Sequence, residues 1–587
     1  MDKKIIIKDY EVVVIGGGMS GICAAIASAR HGAKTALINN RPVLGGNASS
    51  EIRMHICGAD YHASRENARE TGIIEEILLD NKRINKSNSF SILDTVMWEK
   101  TKYQENLDLF LNTHVTELIK EENKIIKVVG EQLTTETVFH FNGNIFIDAT
   151  GDGTIAYLSG AEYMSGREGK DKFNEKYAPD FDDNHTMGST LLFSAVDMGK
   201  KVEFVKPKWA NTYSEEDLAY REHHEINSGY WWIEIGGDGL DTIYDGEIIR
   251  DELLKAVYGV WDHIKNTGHH NADNFALDWV GFLPGKRESR RIIGDYILKE
   301  QDLFQGKVFE DAIAYGGWPM DMHVVGGIRT RRQPTDFIMM EDVYTIPYRC
   351  IYSRNISNLM MAGRDISASH MAFGSTRVMA TCAVIGQACG TAAAMCISKM
   401  ALPRQLGSHI HELQQTLLKE DCYIPGFKNE DKEDLALTAK VSASSFIQNC
   451  VPENIINGYS RTIKENTNIW TADYEDKKPW VELKFKKKIS PKEILIKFDS
   501  NLSKEIMVSL THSVRSRQHD GTPEEIVKDY DIEFYMGEAL TCKKEVRGNH
   551  RRFNSISLEK VNCDRIRVKL LSTWGASKNS IYEIRVY

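Results

Sequence analysis

No CxxC pair occurs anywhere in the 587-residue chain, nor any cysteine–histidine spacing suited to zinc or an iron–sulfur cluster. That excludes a metal finger or a ferredoxin-like module, and no metal is expected. The ten cysteines are scattered, so no disulfide framework is indicated and a reducing, cytoplasmic compartment is expected. A periplasmic location follows only if a leader has been removed, because the first residues run straight into an apolar segment. Cys382, Cys389 and Cys396 recur every seventh residue of an Ala-rich stretch, which places them on one helical face as small core residues. No hydrophobic run long enough to span a bilayer is evident, and no membrane partner is expected. There is no basic stripe interleaved with aromatics, and 73 basic against 83 acidic residues give a net charge of −10, so nucleic acid is not expected either. Repeats and low-complexity tracts are also missing. What remains is an ordinary globular composition, 42% hydrophobic and 27% charged, in a chain long enough for about three or four domains.

The most informative segment is residues 11–53, EVVVIGGGMSGICAAIASARHGAKTALINNRPVLGGNASSEIR. An apolar run, a glycine turn (Gly16, Gly17, Gly18, Met19, Ser20, Gly21), an Ala-rich helix and a second apolar run follow in the order of a Rossmann dinucleotide-binding unit. Gly16 makes the turn, Gly18 lets backbone approach a pyrophosphate, and Gly21 lets helix and strand pack. The helix N-terminus supplies N–H groups for phosphate. At the end of the second run, where an acidic residue ordinarily holds a ribose of NAD, the chain has Asn39. There is no second such unit and no CxxxxC pair beside Cys57, which argues against a dedicated NADPH domain and against disulfide chemistry.

Residues 107–153 read as strands, from LDLFLNTHVTELI to GNIFIDATGDG, and Val115 in the first of these is a candidate cofactor contact. The region from about 161 to 335 is mixed and rich in Trp, Tyr, His and acidic residues. Residues 356–396 bring back a strand, a Gly/Asp turn and a small-residue helix. From about 436 short alternating runs such as WVELKF, ILIKFD and IYEIRVY suggest antiparallel β-structure. The expected fold is therefore α/β: a Rossmann-type domain (1–160 and 336–425) with an inserted α+β substrate domain (161–335) and a C-terminal all-β jelly-roll sandwich (436–587).

Three motifs carry a resemblance. Arg41-Pro42-Val43-Leu44-Gly45-Gly46-Asn47-Ala48-Ser49-Ser50 resembles the loop that passes over pyrophosphate and flavin in FAD enzymes. Phe146–Gly153 (FIDATGDG) resembles the strand-end motif of flavoproteins with two dinucleotide-binding domains, and Met361–Asp365 (MAGRD) their late turn. Over residues 10–400 the chain resembles the FAD-dependent oxidoreductase family related to fumarate reductase and succinate dehydrogenase flavoproteins. The resemblance implies bound FAD, held by Gly16, Gly18, Ser20, Gly21, Asn39, Arg41, Gly45, Gly46, Asn47, Ser49, Ser50, Val115, Ala149, Thr150, Gly151, Gly363, Arg364 and Asp365, the last at the ribityl chain. Gly374, Ser375, Thr376 and Arg377 are expected to open a helix whose dipole faces the flavin.

For catalysis, histidines are the natural bases for alcohol oxidation. His370 follows Asp365 closely; His323 stands near Asp321; His55 follows the flavin loop beside Arg53. Pro284–Tyr296 (PGKRESRRIIGDY) brings Lys286, Arg287, Arg290 and Arg291 together, either as a solvated basic stretch or with one arginine facing flavin or substrate. Trp231, Trp232, Trp279 and Trp318 could dry the face over the flavin. The expected activity is oxidation of a CH–OH group of a carbohydrate-like small molecule with hydride transfer to flavin N5 and an unidentified electron acceptor. Alternatives are fumarate-reductase-like reduction of an activated alkene with an arginine as proton donor, and a carbohydrate-binding protein whose flavin domain is vestigial. The C-terminal stretch, from Ala436–Trp470 to IYEIRVY, resembles a discoidin or galactose-binding-like module, which could bind sugar through Trp470 or Trp574, keep Trp470 as core, or mediate homo-oligomerisation.

Overall fold

The computed structural model describes residues 3–267 and 270–587. The chain divides into two compact units: Met1–His62, Asn88–Ile410 and Met507–Gln518 form one, and Ala63–Ser87, His411–Ile506 and His519–Tyr587 the other. The divisions expected from sequence texture are thus interleaved. Residues 63–87 belong with the C-terminal unit, and the short stretch 507–518 belongs with the first unit although it lies in sequence between strands of the second.

In the first unit the strands β1 (Val12–Ile15), β2 (Thr35–Ile38), β3 (Leu107–Phe110), β4 (Ile145–Asp148) and β5 (Leu359–Met361) form one sheet in the order β5-β4-β1-β2-β3. All its pairings are parallel. β1, β2, β4 and β5 are buried along their length, which is why they read as continuous apolar runs rather than alternating ones. Helix α1 (Met19–Arg30) connects β1 to its parallel neighbour β2. A strand not anticipated from sequence, Lys4–Asp9, pairs parallel with Thr137–Asn142 at the edge of a second sheet.

Helix α2 (Met379–Ser398) crosses α1 at very close range. A Cβ added at Gly386 would fall 2.1 Å from the Ser20 carbonyl oxygen, and one at Gly390 would fall 2.0 Å from that of Ala24. This corrects the expectation of no span-length apolar run: α2 is long and apolar enough to cross a membrane, but 94% of its apolar window is buried inside the protein. Cys382, Cys389 and Cys396 are buried on it, and burial pushes the Cys396 thiol up to about 12. They are packing residues.

Between β4 and β5 lie several short sheets and one long helix, Gly246–Asn266, around a core that includes Trp232, Trp261 and Val257. Two small strand groups position the chemistry. Ser189–Thr190 pairs with Glu234–Ile235 and with Gly285–Lys286, and Met320–His323 pairs with Thr335–Ile338.

The second unit is an antiparallel sandwich of a five-stranded and a four-stranded sheet. Trp470 is fully buried in its core and donates its indole N–H to the Ser445 carbonyl at 3.0 Å, so it presents no face for a ligand. Trp574 is half-buried beneath Arg83 and Lys528. Glu583 lies buried between Lys497 (2.6 Å) and Arg585 (3.0 Å). Replacing Glu583 by Leu leaves two buried cations without a counter-charge, and is expected to cost about 3–5 kcal/mol of unit stability, read as a lowered denaturation midpoint.

Candidate active site

One cavity of about 600 Å³ runs through the first unit from the glycine turn to the wall built by residues 318–337 and 377–382. Its floor is the carboxyl end of the parallel sheet, where such sheets bind ligands. Gly16 has φ +109°, and a Cβ there would meet the Ala149 carbonyl oxygen at 2.2 Å. At Gly21 a Cβ would meet the Gly16 carbonyl oxygen at 1.8 Å, so Gly21 acts in packing and does not line the cavity. Gly18 differs from both: it lines the cavity, and a Cβ there would meet no protein atom within 4 Å. As N-cap of α1 it brings no side chain to the helix N-terminus, whose first N–H groups are left for an anion.

Ser20, Asn39, Arg41, Gly45, Gly46, Asn47, Val115, Ala149, Thr150, Gly151, Gly363 and Arg364 all line this cavity. Asn39 does so with its amide committed to the loop: Oδ1 accepts from the Gly17 N–H (3.1 Å), and Nδ2 donates to the Val43 carbonyl (2.9 Å). Arg41 is held bidentately by Glu51. Ser49 and Ser50 lie behind the loop instead, with the Ser50 N–H donating to Asp94 at 3.1 Å. Sequence patterning alone did not mark Asn40, His114, Asp152 or Lys286 as cofactor contacts, yet these line the same path. Asp152 accepts from Lys286 (2.7 Å) and Arg364 (2.8 Å); burial works against its charge, but these two cations outweigh it and bring the carboxyl down to about 2.

Asp365 stands one layer behind Gly363. It is fully buried, and neither of its carboxylate oxygens has a hydrogen-bond partner in the protein. Burial first, then the neighbouring Asp148, pushes it well above the usual carboxylate range. The expected helix start at Gly374–Thr376 is corrected. Those residues end the short helix His370–Thr376, where Ser375 hydrogen-bonds Tyr344 (2.7 Å) and a Cβ on Gly374 would strike Met322. The helix N-terminus that reaches the cavity is that of α2, through Arg377, Val378 and Met379.

The substrate-side candidates separate clearly. His370 does not line the cavity; its Nδ1 is 2.9 Å from Glu288 and its backbone N–H donates to Glu168 at 2.7 Å, so it is a buried structural residue. Arg290 points away and stacks on Tyr157, with its Cζ 4.0 Å from the ring centroid. Arg53 turns back on Trp279 at the same separation. Arg291 is wholly buried against Glu168, and Trp232 is core. In contrast, Arg287, Asp321, His323, Arg377 and His55 do line the cavity, with Trp231 and Trp318.

His323 sits between two carboxylates, with Nδ1 2.5 Å from Glu234 and Nε2 3.3 Å from Asp321. Asp321 also accepts from Arg377 (2.7 Å) and Thr335 (2.5 Å). Glu234 takes the Gly188 N–H (2.6 Å) and lies 3.6 Å from Arg287. Burial opposes the charge on both carboxylates, but the cations prevail: Arg287 and His323 bring Glu234 down to about 2, and His323 and Arg377 depress Asp321. Arg287 donates to Thr190 and the Trp231 carbonyl (2.7 Å each), fixing that wall.

Beside this charged row is a feature that sequence patterning does not reveal. Tyr61 and His62 both adopt left-handed backbone, φ 44° and 53°, which is costly for such side chains and is found at functional turns. The turn sets His62 in an aromatic corner, 5.0 Å from the Trp318 ring and 5.2 Å from that of His55, and leaves its Nδ1 buried without a hydrogen-bond partner in the protein. Burial, with the Arg517 charge, lowers His62 to about 4; burial, His62 and Arg517 lower His55 to about 3. Both rings are therefore neutral at pH 7.

A family model for FAD dependent oxidoreductases matches residues 11–417. The chain belongs to that family. As an FAD-dependent oxidoreductase it shows partial likeness to the tRNA uridine 5-carboxymethylaminomethyl modification enzyme MnmG 1 of Fusobacterium nucleatum, at 29% identity over 28% of this chain and 29% of that protein. MnmG of Mycoplasma mycoides is 30% identical over 24% of each chain. The chain thus spans less than a third of these relatives' length. Similar solved structures include a Streptococcus pneumoniae fucose binding module (TM-score 0.21, 17% identity, 26% of this chain and 96% of that one). Another is the family 32 CBM of C. perfringens NanJ in complex with galactose (TM-score 0.19, 14% identity, 26% and 95%).

The cofactor of the family fits this cavity. Gly18 opens the path for a pyrophosphate at the uncapped α1 terminus.

Proposed function

We propose that this FAD-dependent oxidoreductase oxidises a CH–OH carbon of a carbohydrate-like substrate, with His62 as the proton acceptor. The observation that carries the reading is the His62 imidazole itself, a ring kept neutral that lines the cavity beside Trp318. When bound, FAD would supply the two-electron acceptor that this oxidation requires. The chain does the rest. His62 takes the hydroxyl proton, and His55, 5.2 Å away ring to ring, keeps the corner free of positive charge. Arg377, held in place by Asp321, presents a guanidinium to substrate oxygens. Trp231, Trp318, Tyr61 and Phe337 offer apolar faces against which the C–H surfaces of a sugar ring can lie while water is kept away. His323, held between Glu234 and Asp321, orients the charged row.

The second reading, reduction of an activated alkene, draws support from the same row: Arg377 lines the cavity as a cation beside a carboxylate, the arrangement a proton donor needs. The motif order likewise supports a fumarate-reductase-type layout, and the antiparallel sandwich a galactose-binding-like module. Ten cysteines, eight of them buried, support a cytoplasmic setting. Turnover of a panel of sugars and polyols with an artificial electron-accepting dye tests the proposal. Dye reduction by at least one polyol, absent in the His62→Gln variant, is the expected outcome; a panel without any turnover by flavin-loaded enzyme sinks it.

A further inference from the structure

Outside the cavity, on the far side of the same wall, four side chains meet that the redox site does not use. Glu215 and His223 belong to the stretch 198–227, which among the described residues contains no strand or helix. His263 is in the last turn of the helix Gly246–Asn266, and His270 follows it. One donor atom from each of the four lies within 4.8 Å of the others.

The geometry is specific. His263 Nε2 is 3.2 Å from His270 Nε2 and 3.2 Å from a Glu215 oxygen; that oxygen is 3.3 Å from His270 Nε2. His223 Nε2 lies 3.5 Å from the other Glu215 oxygen. Donors about 2.0–2.1 Å from a tetrahedral ion are about 3.3–3.4 Å apart along each edge. Two of the rings are also oriented as metal-bound imidazoles are. His223 Nδ1 faces the Arg221 carbonyl at 2.5 Å, and His263 Nδ1 faces that of Tyr213 at 3.1 Å. Each Nδ1–H thus donates to backbone, leaving Nε2 as a lone pair pointed at the common centre. His223 Nε2 is buried and has no hydrogen-bond partner in the protein. All three imidazoles are buried, whereas the Glu215 carboxylate is half exposed at the mouth.

We propose that Glu215, His223, His263 and His270 form a four-coordinate site for a divalent transition ion, zinc by its ligand set and edge lengths. With four protein ligands the site is closed, so the ion is structural. It anchors a stretch that lacks regular hydrogen bonding, and it braces the active-site wall: the His223 carbonyl accepts from the Tyr230 hydroxyl (3.1 Å), and the Glu222 carbonyl accepts from the Trp232 indole (2.8 Å). Trp231, between those two residues, lines the cavity. The ligands stand 8, 40 and 7 residues apart, outside any zinc-finger spacing, which is why the sequence carried no expectation of a metal.

The test uses full-length protein purified without a histidine tag. About one zinc per chain by inductively coupled plasma mass spectrometry is expected, and chelator-stripped protein should take up one Co²⁺ with the intense visible absorption of a tetrahedral ion, at wavelengths beyond those of the flavin. Glu215→Gln, at an exposed position, should weaken Co²⁺ binding about 100-fold while flavin absorbance persists; His224→Gln, a neighbouring ring outside the set, should not. Flavin-loaded protein that holds less than ~0.1 equivalent of zinc and shows no thermal shift on zinc addition overturns the assignment. So does Co²⁺ affinity undiminished in both Glu215→Gln and His263→Gln.

Discussion

His62→Gln is expected to bind FAD normally and to lower kcat for the oxidised polyol about 100-fold, with little change in KM. The ring lines the cavity and its Nδ1 makes no hydrogen bond to protein, so a carboxamide of similar reach is expected to leave the wall intact and to remove the proton acceptor. General-base contributions run from about 10²- to 10⁴-fold, and the low end applies because burial makes this imidazole a weak base. The pH dependence follows in sign. The neutral ring is the active form, and its value in the folded protein is about 4, below the ordinary 6.5. kcat/KM should therefore stay level as pH falls through 6.5, and drop about tenfold per unit only as pH falls through about 4. A break near 6.5, or a His62→Gln enzyme with unchanged kcat, removes His62 from the chemistry. His370→Gln offers a contrast: that ring lies outside the cavity, so its loss should appear in thermal stability before it appears in kcat.

Gly18→Ala should weaken FAD binding about 100-fold while the flavin-free protein melts at the wild-type temperature. The reason is the separation of roles within the glycine turn. At Gly18 the backbone is in an ordinary extended conformation, φ −70° and ψ 179°, and a Cβ meets no protein atom within 4 Å. The methyl group therefore intrudes only on the dinucleotide path, and about 2.7 kcal/mol of lost binding corresponds to that factor. Gly16→Ala is different in kind, because its Cβ collides with the Ala149 carbonyl at 2.2 Å in a left-handed conformation. There, melting temperature and flavin content should fall together. Equal thermal loss in both variants would falsify the assignment of Gly18 to the cofactor path.

The dinucleotide half of the site was legible because its chemistry is local. Glycine turns, strand ends and a helix start lie within a few residues of one another, so order along the chain nearly equals order in space. Gly374–Thr376 show where that fails: the residue types fit a cofactor, but their partners are Tyr344 and Met322, which only the tertiary structure supplies. The catalytic wall was less legible. His370 is five residues from Asp365, yet the short helix it opens turns it toward Glu288, whereas His62 reaches the cavity through two left-handed residues that leave no pattern in the sequence. Among the arginines of Pro284–Tyr296, tertiary partners decided: Arg287 faces the cavity, whereas Arg290 stacks on Tyr157 and Arg291 pairs with Glu168. The sandwich was visible from its alternating strands, but nothing in its texture announced that residues 507–518 belong with the first unit.

On the proposed function, the cradle at Gly18 and the corner at His62 belong to one alcohol-oxidising site. Anaerobic mixing of the flavin-loaded enzyme with candidate substrates, followed at the visible flavin band, tests it most directly. Bleaching of the band by a polyol in a single turnover, slowed about 100-fold in His62→Gln, is the predicted result. A band unchanged by every polyol, together with rapid recovery of chemically reduced enzyme on addition of an enoate, contradicts it and leaves Arg377 as the donor of an alkene reductase.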